Sequence, residues 1–220
     1  MVDYKKLHNN WESCRLSREQ GKFLSDLNGI NRFNAGHDFA YSKISDDGCS
    51  IEIVFDGTDS MGEWISDADC DRTGDLYDSE GFDDASEIFY DAMKFMCDLK
   101  IPFVLMGHSR GGPIAVGVAE RFKRKHGSDV SVVSFGSPKQ GGFKFVQAMC
   151  NLKIDHIRVE MDRDVVCDLP LNFTQEWEHY ETEHILLLHK LHGIKTIHLG
   201  YGEVLRDYVR NSVISSSVRD

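Results

Sequence analysis

The stretch FVLMGHSRGGPIAVGVA, residues 103–119, decides how the whole chain is read. Phe103, Val104, Leu105 and Met106 form a continuous apolar run, the pattern of a strand buried on both faces of a parallel sheet. After the glycines, Ile114, Val116, Val118, Ala119 and Phe122 recur at helical spacing, beside Arg121 and Lys123 to Lys125, which read as exposed. Between strand and helix lies Gly107-His108-Ser109-Arg110-Gly111. A serine at a strand-to-helix turn, with a glycine two positions away on each side, is the arrangement of a nucleophile elbow. Such a turn forces the serine into a strained backbone, and side chains at 107 or 111 would collide with the neighbouring strand or helix. The helix also points its N-terminal amides at the turn, where they favour an anion. The same residues describe a glycine-rich turn with a solvated serine, so partners must decide between the two.

The 220 residues suffice for one sizeable core, and no internal linker divides them. An apolar fraction of 41% and a charged fraction of 28% are those of a globular chain. The net charge of −11 disfavours nucleic acid and anionic membrane surfaces as partners, because both would be repelled. No apolar run reaches the roughly 18 to 20 residues that span a bilayer. The first 20 residues hold no apolar core of the kind an export signal carries. The six cysteines, at 14, 49, 70, 97, 150 and 167, stand singly. The expectation is a cytoplasmic chain with free thiols, Cys97 and Cys150 being small core residues of apolar helical patterns.

Residues 11 to 33 carry a weak helical pattern, read as part of an N-terminal extension over 1–34 that packs on a single domain over 35–220. Phe39 to Ile44 and Ser50 to Phe55 alternate around Asp46-Asp47-Gly48, a strong hairpin signal. Residues 85 to 98 place Ile88, Phe89, Ala92, Phe95 and Met96 on one helical face. The strand over 102–107 and its helix come next, then a β-branched run from Val130 to Phe135. FKFVQAMCNL (143–152) reads as a helix, HIRVEM (156–161) and HILLL (184–188) as strands, and 198–211 as a closing helix. Alternating strands and helices after residue 85 predict an α/β fold with a mostly parallel central sheet, flanking helices and the antiparallel N-terminal hairpin at one edge.

Such folds gather their chemistry at the C-terminal ends of their strands. There HIRVEM runs into DRDVVCDLP and offers Asp162, Asp164 and Asp168. An elbow serine of this kind is followed in the chain by an acid and then a histidine. Among ten histidines, His184 heads an apolar strand and reads as structural, and His189 and His192 sit near a turn. His198 precedes the last amphipathic helix, from which an imidazole can reach back over the sheet.

With these residues in place the chain resembles the class 3 lipases, the fungal-lipase-like branch of the α/β-hydrolases, from about residue 35 to 210. IVFDGTDSMGEWISDAD (53–69) resembles that family's oxyanion block, and GHSRGG (107–112) its elbow. VVSFGSPKQGG (132–142) resembles its Phe-Gly-x-Pro strand, and MDRDVVCDLP (161–170) its acid block. IHLGYGEVL (197–205) resembles its histidine block, with an aromatic residue three positions on. The resemblance implies an α/β-hydrolase fold and a serine hydrolase that cleaves carboxylic esters through an acyl-enzyme. Ser109 would be its nucleophile, Asp164 its acid and His198 its base. The N–H groups of Arg110 and Thr58 would hold the oxyanion, and no cofactor would be required. A thioesterase or amidase would use the same triad, and a non-catalytic acyl-binding protein would use the same fold.

Several positions depart from the family. Arg110 stands where a leucine-like residue is frequent, and a salt bridge with one of the many carboxylates is its expected role. Asp56 replaces the arginine of the oxyanion block. The segment that would cover the site, residues 67–84, is short and acidic, with only Leu76 and Tyr77 to offer an apolar contact. It is poorly suited to an oil surface, which points to soluble or short-chain esters and to no stable membrane insertion. Asp69, Asp71, Thr73 and Glu80 also fit the spacing of a calcium loop, with Thr73 in place of Asp or Asn. A solvated acidic loop is the preferred reading of that segment.

Overall fold

A computed structural model describes residues 2–24, 30–56, 72–73, 78–170 and 177–217. The chain opens with helix α1 (Tyr4–Leu24), followed by strands β1 (Asn31–Ala35), β2 (Asp38–Ile44) and β3 (Ile51–Phe55). Two short strands, β4 (Arg72–Thr73) and β5 (Asp78–Ser79), pair with each other ahead of helix α2 (Glu80–Met93). Then come β6 (Phe103–His108), α3 (Gly111–His126), β7 (Val130–Phe135), α4 (Phe143–Leu152), β8 (Asp155–Met161) and β9 (Glu183–Leu187). Helices α5 (Ile194–Leu199) and α6 (Tyr201–Ser217) follow.

Seven strands form one sheet in the order β1-β2-β3-β6-β7-β8-β9. Strand β2 runs antiparallel to both β1 and β3, and β3, β6, β7, β8 and β9 run parallel. The fold is therefore the mostly parallel α/β sheet that the alternation of elements predicted. Strand periodicity sorts the core into two layers. Ile53, Phe55, Phe103, Leu105 and Val132 face Phe89 and Met93 of α2 and Ile114, Val118 and Phe122 of α3. Met106, Val133, Phe135, Val159 and Met161 face the opposite way, against Leu7 and Trp11 of α1 and Tyr201 and Leu205 of α6. Each such large side chain, fully buried, contributes about 1.5–3 kcal/mol. Among the described residues, no helix is long and apolar enough to cross a membrane.

Five local expectations need correction. Residues 31–33 are strand rather than helix: β1 pairs Asn31–Ala35 with Ser42–Asp38, and its largely exposed edge position left no apolar alternation to read. Ile88, Ala92 and Phe95 are exposed, whereas Ala85, Phe89, Tyr90 and Met93 are buried. The helix tightens to 3₁₀ geometry over Lys94–Leu99, and this carries Met96 and Cys97 inward. Cys150 is exposed, because α4 buries Phe145 and Met149 instead. Arg121 is buried, held by Asp83 of α2 and by the Gly117 carbonyl. The closing helix is broken at Gly200, so His198 belongs to the short α5.

Trp11 is 1% exposed and packs on His108, Phe135 and Tyr201, with ring centroids 4.9, 5.5 and 5.3 Å away. A Cβ at Gly202 would lie 2.5 Å from its Nε1. The boxed indole has no room to retreat, so Gly202→Ala is expected to cost about 1–3 kcal/mol in urea unfolding. Beyond the apolar layers, His156 is fully buried beside Ser134, its Nε2 2.8 Å from the Ser134 hydroxyl. Burial, with Arg158 nearby, pushes its pKa down from 6.5 to about 4. The fold holds the neutral ring, so this contribution to stability is complete above pH 6.5 and is lost as pH falls toward 4. The urea midpoint should drop across that window, and His156→Gln should remove that part of the slope.

Candidate active site

The strand-to-helix turn is built by steric exclusion. A Cβ at Gly107 would lie 2.1 Å from the Gly111 carbonyl oxygen, and one at Gly111 would lie 2.3 Å from that of Phe55. With both positions bare, α3 starts directly against β3 and β6. Ser109 takes a φ of 54°, in the left-handed region that non-glycine residues seldom enter. Its N–H donates to the Phe135 carbonyl at 2.9 Å, and its carbonyl accepts from the Gly112 N–H at 3.0 Å. Strain fastened at both ends in this way is a feature of functional turns.

Arg110, the residue after the serine, turns its side chain away from the turn. Its Nε and Nη2 donate to the two carboxylate oxygens of Asp38, each at 3.0 Å, and its guanidinium lies 5.5 Å from the Phe82 ring centre. The elbow is thereby tied to the start of β2 by a two-pronged, half-buried ion pair.

Of the three candidate acids, only Asp164 is enclosed: Asp168 is exposed, and Asp162 pairs with Arg163 near the surface. Asp164 follows β8 and its side chain is wholly buried. Its Oδ1 and Oδ2 lie 3.0 and 2.9 Å from Nδ1 of His198. Oδ1 also accepts from the Val166 N–H, and Oδ2 accepts from the Tyr201 hydroxyl at 2.8 Å. Because the carboxylate can only accept, His198 carries its proton on Nδ1. The other ring nitrogen, Nε2, is buried and has no hydrogen-bond partner among the described residues. A neutral imidazole with that tautomer presents a lone pair at Nε2, which is the form a general base takes.

Gly136, at the end of β7, makes room for the pair. Its φ is 53°, and a Cβ there would lie 2.8 Å from Asp164 Oδ2 and 3.0 Å from His198 Cε1. Tyr201 is the second support. Its oxygen accepts the Met161 N–H at 3.1 Å while its proton goes to Asp164. Burial first, then the neighbouring Cys167 and Asp164, hold its pKa well above 10, so it stays a donor. The Cys167 thiol is pushed up by the same causes, burial first and then Asp164, and stays protonated.

The remaining sequence candidates lie elsewhere. His184 contacts Glu160 and Arg158, His189 bonds the Asp162 carbonyl, and His192 is exposed. Thr58, Asp69 and Asp71 lie outside the described residues. Thr73 ends β4 and Glu80 begins α2. Among the described residues, no group of three or more His, Cys, Asp or Glu could hold a metal ion. Sequence reasoning gave no role to His108, Trp11 or Asp38. Tyr201 entered only as an aromatic three positions after His198, a spacing that puts it one turn along.

A strained serine after one parallel strand, with a buried pair of a carboxylate from beyond β8 and an imidazole from the short helix α5, defines an α/β-hydrolase. The sequence profile of the family described as Lipase (class 3) matches residues 52–174, more than half of the chain, and the protein belongs to that family of carboxylic ester hydrolases. No curated protein matches the sequence. Similar solved structures include lipase II from Rhizopus niveus, at 18% identity and TM-score 0.64, over 79% of this chain and 77% of that one. A lipase from Rhizopus microsporus var. chinensis superposes at TM-score 0.68 and 18% identity, over 86% and 75% of the two chains. The Rhizomucor miehei triacylglyceride lipase does so at 0.64 and 20%, over 84% and 77%. At these identities the structures speak for the fold.

Tyr201→Phe removes the donor to Asp164 and strands the Met161 N–H. A loss of about 1–3 kcal/mol in urea unfolding is expected.

Proposed function

We propose that the protein hydrolyses soluble or short-chain carboxylic esters through an acyl-enzyme, with Ser109 as nucleophile, His198 as base and Asp164 as its orienting acid. The observation that carries this reading is the buried Asp164–His198 pair, with the Nε2 of His198 unpartnered among the described residues, beside the strained serine turn. A triacylglycerol lipase of similar fold, 19% identical, has a serine-protease triad as its catalytic centre.

The Oγ of Ser109 attacks the ester carbonyl carbon while its proton passes to Nε2 of His198. Asp164 fixes the tautomer and stabilises the imidazolium without taking a proton. The carbonyl oxygen becomes an oxyanion, held by the Arg110 N–H and by the N–H of Thr58, with the Thr58 hydroxyl as a further donor. Donors of this kind lower the barrier by about 3 kcal/mol each. The tetrahedral adduct collapses, the C–O bond to the alcohol breaks, and His198 returns the proton to the departing alkoxide. Water then repeats the cycle on the acyl-Ser109, releasing the acid. The preference for soluble or short-chain esters rests on residues 67–84, whose acidic composition favours water over an oil surface. No cofactor takes part in any step.

A fluorophosphonate probe should label the native chain at neutral pH and fail to label Ser109→Ala or His198→Ala. Asp164→Asn should keep the fold and lower kcat by about 10⁴. With p-nitrophenyl esters of increasing length, kcat/KM should peak at short acyl chains. Absence of labelling on folded native protein would overturn the hydrolase reading, and a maximum at long chains would overturn the substrate preference alone.

A further inference from the structure

The base of the site has a support that lies on neither side of its bond to Asp164. Along β6 the side chains alternate: Phe103 and Leu105 face α3, and Met106 faces α1 and α6. His108 continues the second series, so the residue just before the nucleophile points away from the elbow helix and under α5. There it is 5% exposed, and its Nε2 lies 2.9 Å from the main-chain carbonyl of His198. A carbonyl can only accept, so His108 Nε2 carries the proton and donates it. The two imidazoles also stack, with centroids 4.5 Å apart and planes inclined by 34°. From the far side Trp11 of α1 meets the His108 ring edge-on at 4.9 Å.

We propose that His108 is a positioning residue for the catalytic histidine, and that α1 takes part in the site through Trp11. The proposal rests on the assignment of His198 as the base. Three contacts then fix that residue in space. Asp164 fixes the outer edge of its ring, the His108 N–H fixes its backbone, and the His108 ring fixes its plane. The bond to the carbonyl matters most, because α5 is a six-residue helix that ends at Leu199 and cannot hold its own main chain rigid. With the His198 backbone free to shift, Nε2 would move relative to the Ser109 oxygen, and displacements near 1 Å in such geometry cost about 100-fold in rate. Trp11 lies outside residues 52–174, the part of the chain that the family profile matches. The clamp thus joins a residue of the elbow block, His108, to one from the N-terminal helix, Trp11.

The test compares His108→Phe, which keeps a ring and loses the N–H, with His108→Gln, which offers an amide N–H at similar reach. Each variant is measured for kcat and KM on a p-nitrophenyl ester, for its unfolding midpoint, and for the downfield proton resonance of His198 Nδ1–H. The expected result for His108→Phe is a kcat lowered about 10- to 100-fold, KM changed less than about twofold, and a shifted or broadened resonance. His108→Gln should recover most of the kcat and the native resonance. Trp11→Phe should show a smaller loss of the same kind. Native kcat in His108→Phe, a loss confined to KM, or a Gln variant no better than Phe at equal folded fraction would overturn the proposal. Should the Phe variant fail to fold, a Gln variant that folds yet lacks both kcat and the native resonance would overturn it, and one that keeps both would support it. The resonance decides the clamp even if the native chain is never labelled by fluorophosphonate, an outcome that would remove only the hydrolase reading.

Discussion

The carbonyl oxygen of Phe55 occupies the place where a side chain at residue 111 would begin. That single exclusion, with its counterpart between Gly107 and the Gly111 carbonyl, lets α3 start hard against two neighbouring strands. Everything at the site is measured from that contact. It throws Ser109 into the left-handed region, and it points the first turn of α3 at the strand ends. It also sets the direction in which His108 and Arg110 leave the turn. A long-range ion pair then anchors the turn to β2 through Asp38.

The parallel half of the sheet delivers the other participants by the same geometry. Ser109, Gly136 and Asp164 follow β6, β7 and β8 in order, each at a C-terminal end, so adjacent strands set adjacent groups. The histidine arrives differently, on a short helix after the last strand, with no ladder to fix its backbone. Its neighbours supply that constraint by hydrogen bonds and ring contacts: Asp164 at Nδ1, His108 at the carbonyl, and Tyr201 through Asp164. All three supports are buried, where hydrogen bonds to charged groups are stronger than in water.

What the sequence made legible, and what it hid, follows from whether a demand is local. The elbow was legible because its steric requirement writes two glycines around a serine, after an apolar strand. The hairpin was legible because Asp46-Asp47-Gly48 can hardly be anything but a turn, and Gly48 has a φ of 70°. Asp164 could not be separated from Asp162 and Asp168 by pattern alone, since the distinction is burial and the contact with a residue 34 positions away. Arg121 read as surface because its partner, Asp83, lies on another helix. The weak strand β1 was missed because an exposed edge shows no alternation. His108 and Trp11 were passed over because their meaning is a contact with one another and with residues near 200. Thr58, read from the resemblance, falls outside the described residues.

The packing of Trp11 against Tyr201 and Gly202 has a consequence for how the molecule comes into being. It joins residue 11 to residue 202, so the loop closed by this contact is most of the chain. Contacts of such span carry a large loop-closure entropy that must be met before they return any stability. The elbow, made from β3, β6 and α3, is comparatively local and needs neither α1 nor α6. The placement of the histidine thus leans on a contact between the two ends of the chain, whereas the serine turn does not.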